Sequence, residues 1–176
     1  GLDVDNTKLL EMASEKIKEI IVHTNIPDNM KADIVEAYDN LNVDEEVLKE
    51  TNSDVMKLVK TGRDLPFVAV RSSATAEDRA EASFAGQQES FLNVKGEKQL
   101  LEAVRNCWAS LYTPRAIFYR IKNNFPHEKV LIAVVVQKMV NSKKAGVIFS
   151  VNPATNVNEI VIEAGFGLGE SVVSGA

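Results

Sequence analysis

The sequence predicts an α+β protein, on three observations. Apolar residues in the first third recur at three- and four-residue spacing, as on one face of a helix. After Gly62 and Pro66 the pattern changes to short apolar runs of strand length. Two strongly amphipathic stretches then interrupt those runs. The expected architecture is N-terminal helices followed by a mostly antiparallel sheet backed by helices, divided into a helical segment at 1–62 and a second part at 63–176.

Leu9, Leu10, Ala13, Ile17, Ile20 and Ile21 form the first helical stripe, with Asn6 or Thr7 available as its cap. Asn25 to Pro27 breaks it, and Pro27 suits the first turn of a second helix carrying Met30, Ile34, Ala37, Tyr38 and Leu41. A third, weaker helix is expected from about Asp44 to Lys60, where Thr51-Asn52-Ser53 is a poor helical centre. Phe67 to Val70 reads as a short buried strand delivering Arg71, and Ser90 to Val94 as another, with Phe91 alternating against Asn93. Lys98 to Leu111 is amphipathic, aligning Leu101, Val104, Trp108 and Leu111, and Pro114 opens a successor running to about Lys122. Three strand-like runs follow at Val130–Val140, Ala145–Val151 and Glu159–Ala164. Asn141 to Lys144 separates the first two like a hairpin turn, and Asn152 to Asn156 marks the next turn.

Composition narrows the function classes. The chain has 176 residues, 45% apolar and 26% charged, which predicts a packed core. A net charge of −5 argues against nonspecific nucleic-acid binding. The single cysteine, Cys107, excludes an internal disulfide and a cysteine-rich metal site, as suits a reducing compartment. No apolar run approaches the roughly 18 residues of a membrane span, and no signal-peptide segment opens the chain. A soluble cytoplasmic protein without membrane or nucleic-acid partners is expected. Gly1 is not a start methionine and Ala176 closely follows a glycine-rich run, so the chain is read as a fragment.

The stretch after Arg71 carries the chemistry. The residues up to Gln88 are mostly small, hydroxylated or glycine, without helical or strand periodicity. Arg71 offers a planar, always-charged fork of donors for phosphate oxygens, and small neighbours let backbone N–H groups approach the same anion. On residue types alone an ordinary surface loop is an equal reading.

The order of residues favours the first reading. Arg71-Ser72-Ser73-Ala74-Thr75-Ala76-Glu77-Asp78, followed by Ala82-Ser83-Phe84-Ala85-Gly86-Gln87-Gln88-Glu89-Ser90-Phe91-Leu92-Asn93-Val94, resembles the nucleotide-binding domain of phosphoenolpyruvate synthases (pyruvate, water dikinases). Pyruvate, phosphate dikinases and rifampin phosphotransferases are that family's nearest relatives. The resemblance continues through Gln137 to Val140, Ala145 to Ser150 and Gly165 to Glu170, covering roughly residues 66–176. It implies an ATP-grasp fold, with 63–176 as part of the nucleotide domain, and a longer enzyme converting ATP, pyruvate and water to phosphoenolpyruvate, AMP and phosphate through a phosphohistidine in another domain. The fragment alone is expected to be inactive.

Residue by residue, the resemblance implies that Arg71 contacts the transferred phosphates, a catalytic as well as an ATP-binding role. The alternative for Arg71 is a salt bridge with Glu77 or Asp78. The resemblance also implies that Gly86 lies in a loop covering the phosphates and that Ser90 supplies a phosphate-contacting hydroxyl, with Gln87 expected as a polar contact. Gln137 interrupts an apolar strand, so its amide is either a structural hydrogen-bonding group or a contact at the adenine end. Lys138 to Val140 would read the purine edge through the backbone, with Met139 packed on the base or in the core. His23 and His127 are expected at the surface. No metal ligand is assigned: Mg²⁺ is implied together with ATP, but its ligands are expected mainly outside this segment, in a Glu…Gln…Arg group, as is a glycine–lysine segment reaching the phosphates. Arg79-Ala80 stands where the family has Leu-Pro, which leaves the loop's conformation open. Two other classes stay open: a sister transferase with another acceptor, and a noncatalytic nucleotide-binding module.

Overall fold

The computed structural model describes residues 3–43, 64–74, 78–79, 82–83 and 90–174. The chain forms two compact units, Gly1–Met139 and Val140–Ala176. In the first, helices α1 (Thr7–His23) and α2 (Asp28–Asn40) precede strands β1 (Val68–Ala74), β2 (Asp78–Arg79), β3 (Ala82–Ser83) and β4 (Ser90–Val94). Helices α3 (Glu97–Ser110) and α4 (Pro114–Lys122), a 3₁₀ turn (His127–Lys129) and strand β5 (Ile132–Lys138) complete it. The expected helix at 44–60 lies outside the described residues.

The helix starts follow from capping. The Asn6 side chain accepts from the Leu9 amide, and Thr113 accepts from the Ala116 amide with Pro114 at the first helical position. Each such cap is worth about 1 kcal/mol. The α1 stripe buries only part of its length: Leu10 and Ser14 are buried, whereas Leu9 and Ile20 are exposed. Met30 is exposed on α2 as well, and Tyr38 is that helix's buried residue.

The main sheet has the order β4-β1-β5, both pairings antiparallel. One face packs on α3 and on Tyr38, joining Val68, Val70, Val94, Leu100, Ala103, Val104 and Cys107, with Phe91, Val134 and Val136 against them. At about 1.5–3 kcal/mol per buried large aliphatic side chain, this layer is the unit's main source of stability.

Three expectations are corrected. Arg71 does not end a strand: β1 runs on to Ala74, because Ser72 and Ser73 pair with Val134 and Ala133 of β5. That ladder outweighs the weak strand preference of serine. Phe91 and Asn93 do not alternate simply, since the β1–β4 register shifts between Val68 and Val70 and Asn93 takes φ 57°. This is the geometry of a bulge, and asparagine tolerates it. Finally, β5 makes no hairpin with the next strand, because its partner is β1.

The second unit is a hairpin of β6 (Lys144–Phe149) and β7 (Val161–Phe166) with a short helix, α5 (Glu170–Ser174). The strands pair so closely at Gly146 that an added Cβ would lie 2.7 Å from the Glu163 carbonyl oxygen. Helix α5 lies against the hairpin, with the Val172 side chain over Gly165. Among the described residues no helix is long and apolar enough to cross a membrane.

Candidate functional site

Strand β1 is central in its sheet, and from Val68 to Arg71 it runs between β4 and β5. Arg71 lies opposite Ser90 of β4 and opposite Val135 of β5. Directly opposed residues of antiparallel strands share a face, with Cα atoms ~5 Å apart. Gln137 lies opposite Ala69, one diagonal step from Arg71 at ~7–8 Å. The alternation that sends Val68 and Val70 into the core therefore sends Arg71, Ser90 and Gln137 to the other face. Arg71, Ser73, Ser90, Ala133, Val135 and Gln137 are all exposed there, while Ala69 between them is buried.

The electrostatics of this face are simple. Among the described residues Arg71 has no ion-pair partner. The alternative partners differ in what is seen: Glu77 lies outside the described residues, and of Asp78 only the backbone is described. Gly86 and Gln87 also lie outside the described residues. Gln137 is at the surface, so its amide faces solvent and needs no buried partner.

Beyond β5 the chain is held at two atoms of one residue. The Met139 amide donates to the Phe67 carbonyl (2.8 Å), and the Met139 thioether accepts from the Asn93 amide (3.2 Å). The Met139 amide is thus occupied by the Phe67 carbonyl. Val140 opens the second unit and is 79% exposed.

The sequence reading missed one buried charge. Arg120 on α4 is 1% exposed; its Nε donates to His127 Nδ1 (2.9 Å), its terminal nitrogen donates to the Leu111 carbonyl, and its guanidinium lies 5.3 Å from the Tyr112 ring centroid. Burial lowers the Arg120 pKa, with Tyr112 opposing. His127 is half-buried rather than at the surface, and its pKa is lowered by burial and then by Arg120, against Glu128. Arg120 at the last turn of an amphipathic helix gave no sequence signal distinguishing it from a solvated cation. Among the described residues no group of three or more His, Cys, Asp or Glu side chains could hold a metal ion.

The whole chain, residues 1–176, matches the family described as pyruvate phosphate dikinase, AMP/ATP-binding domain. It is 50% identical over 176 residues to a probable phosphoenolpyruvate synthase of Methanothermobacter thermautotrophicus, covering 100% of this chain and 23% of that protein. A probable phosphoenolpyruvate synthase of Methanocaldococcus jannaschii is 49% identical over 177 residues, covering 100% and 14%. The phosphoenolpyruvate synthase of Pyrococcus furiosus is 48% identical over 175 residues, covering 99% and 20%. The chain thus spans between 14% and 23% of the length of these three relatives.

Proposed function

This chain belongs to the pyruvate phosphate dikinase AMP/ATP-binding domain family, whose fold is α+β and ATP-grasp-like, and from that premise we propose that the open face of its three-stranded sheet holds ATP. The observation that supports this most is the strand register, which puts a guanidinium, a hydroxyl and an amide on one exposed face. The phosphates lie at the Arg71 and Ser90 end, and the purine lies toward Gln137, Met139 and Val140. Gly86 and Gln87, outside the described residues, are further phosphate contacts in this proposal.

In this reading Arg71 neutralises charge that spreads over the phosphoryl oxygens during transfer. Ser90 donates to an oxygen of the same group. The Met139 thioether packs on the base, a role its polarisability suits. Magnesium would accompany ATP in the full reaction, but the described residues offer it no cluster of ligands.

In the longer polypeptide this segment serves a phosphoenolpyruvate synthase: ATP phosphorylates a histidine carrier in another domain of the same chain, and the carrier passes the phosphoryl group to pyruvate. Cys107 is buried and in no disulfide, which fits the reducing cytoplasm in which such an enzyme works.

Calorimetric titration with ATP·Mg²⁺ tests the reading. The wild-type chain should bind saturably, and Arg71→Ala should weaken binding about tenfold to a hundredfold, the range for losing a charge-assisted hydrogen bond. Equal affinities for both proteins, or no saturable binding by the wild type, contradict it.

A further inference from the structure

Tyr38 lies on α2, on the packed side of the sheet, and is 2% exposed. Its hydroxyl is fully engaged: it donates to the Pro66 carbonyl (2.8 Å) and accepts from the Gly96 amide (2.9 Å). These two groups belong to separate segments, residues 64–67 entering β1 and residues 93–96 leaving β4. Each segment also grips Met139. The first holds its amide through the Phe67 carbonyl, and the second holds its thioether through the Asn93 amide. A second tie between the same segments is exposed: Lys95 Nζ lies 2.7 Å from Asp64 and 4.9 Å from the Phe67 ring centroid.

We infer that the Tyr38 hydroxyl is a positioning group for the purine end of the nucleotide site, acting through Pro66–Phe67 on one side and Asn93–Gly96 on the other to set Met139. This inference rests on the nucleotide reading given above. The reasoning is directional. A buried hydroxyl used as both donor and acceptor fixes the separation of the two backbone groups it joins. Its removal leaves a carbonyl and an amide without their partner, and moving one segment against the other is the way to relieve that. Such a shift pulls the two atoms of Met139 apart, because each segment holds one of them. A phenylalanine at this position keeps the ring in the core but loses the tie. In the sequence, Tyr38 was simply one residue of an apolar stripe.

The test compares wild type with Tyr38→Phe in the 176-residue chain. Two readouts go beyond stability. The first is the ¹³C methyl resonance of Met139 without nucleotide, with Met12 on α1 as internal control. The second is the ratio of ATP to GTP affinity. Tyr38→Phe is expected to move the Met139 methyl, leave Met12 in place, and change the ratio about threefold to tenfold, the scale of one hydrogen bond. In a Met139→Leu background Tyr38→Phe should change the ratio no further, because the two act as one unit. If Tyr38→Phe lowers the melting temperature but leaves the Met139 methyl and the ratio unchanged, Tyr38 is structural only and the inference is overturned. Should that variant not fold, 3-fluorotyrosine incorporation, which weakens the Tyr38 hydroxyl as an acceptor without removing it, must move the same methyl and leave Met12 in place; no movement overturns the inference equally. If Arg71→Ala and Met139→Leu both leave nucleotide affinity unchanged, the site reading fails instead, and the methyl shift alone then decides whether Tyr38 positions Met139.

Discussion

On one face of the three-stranded sheet Val68, Val70 and Val94 meet Leu100, Val104 and Cys107, nearly all of them without exposed surface. On the other face the neighbouring positions of the same strands, Arg71, Ser90 and Gln137, are exposed and polar. The two sets are interleaved along the chain, so proximity in sequence says nothing about their roles. What separates them is the two-residue period of β1 and β5 and, in β4, the bulge that puts Ser90 and Val94 on opposite faces. The packed face has sacrificed polar chemistry for stability. The open face has done the reverse, keeping a charge where burial would make it costly.

Substitutions on the two faces should therefore give opposite pairs of results. Leu100→Ala, in the packed layer, is expected to cost about 2–5 kcal/mol by urea denaturation while the protein that remains folded binds nucleotide as before. Arg71→Ala is expected to leave stability within about 0.5 kcal/mol of wild type and to remove the affinity described above. A large stability loss at Arg71, or an affinity loss at Leu100 in fully folded protein, breaks the distinction. The hairpin unit offers a third probe. Gly146→Ala places a methyl against the Glu163 carbonyl and should cost about 1–3 kcal/mol, seen as faster hydrogen exchange in β6 and β7 and not in β1. The smallest effect belongs to the Arg120–His127 hydrogen bond. His127 Nδ1 accepts from Arg120, so the ring is neutral in the fold and its pKa lies below the unfolded value near 6.5. The unfolded chain binds the proton more readily, so this contribution is present above about pH 6.5 and is lost as pH falls below it. The urea midpoint should drop between about pH 7.5 and 5.5, and His127→Gln, whose amide oxygen can accept without titrating, should flatten that drop.

Helices α1 to α4 were legible because capping and periodicity are local. Asn6 and Pro114 mark the starts of α1 and α4 directly, and Ser90 to Val94 was read with its observed limits. The partner of β5 was not legible, since Val130 to Val140 looks the same whether it pairs with β1 or with β6. Pairing is a long-range choice, and it also explains why β1 continues past Arg71. The Arg71, Ser90 and Gln137 positions were named from residue order, but that they share a face depends on that same pairing. Arg120 and Tyr38 escaped for the opposite reason. Each fits a local pattern so well, as a helix-end cation and a stripe aromatic, that nothing flags the distant carbonyls they hold.

The most direct test of the account is a map of side-chain resonances during titration with ATP·Mg²⁺. The account predicts shifts at the Gln137 amide, the Met139 methyl and the Arg71 Nε–H group, with the methyls of Leu100 and Val104 unmoved. Shifts confined to the opposite side of α3, around Asn25, Lys31 and Arg105, would contradict it.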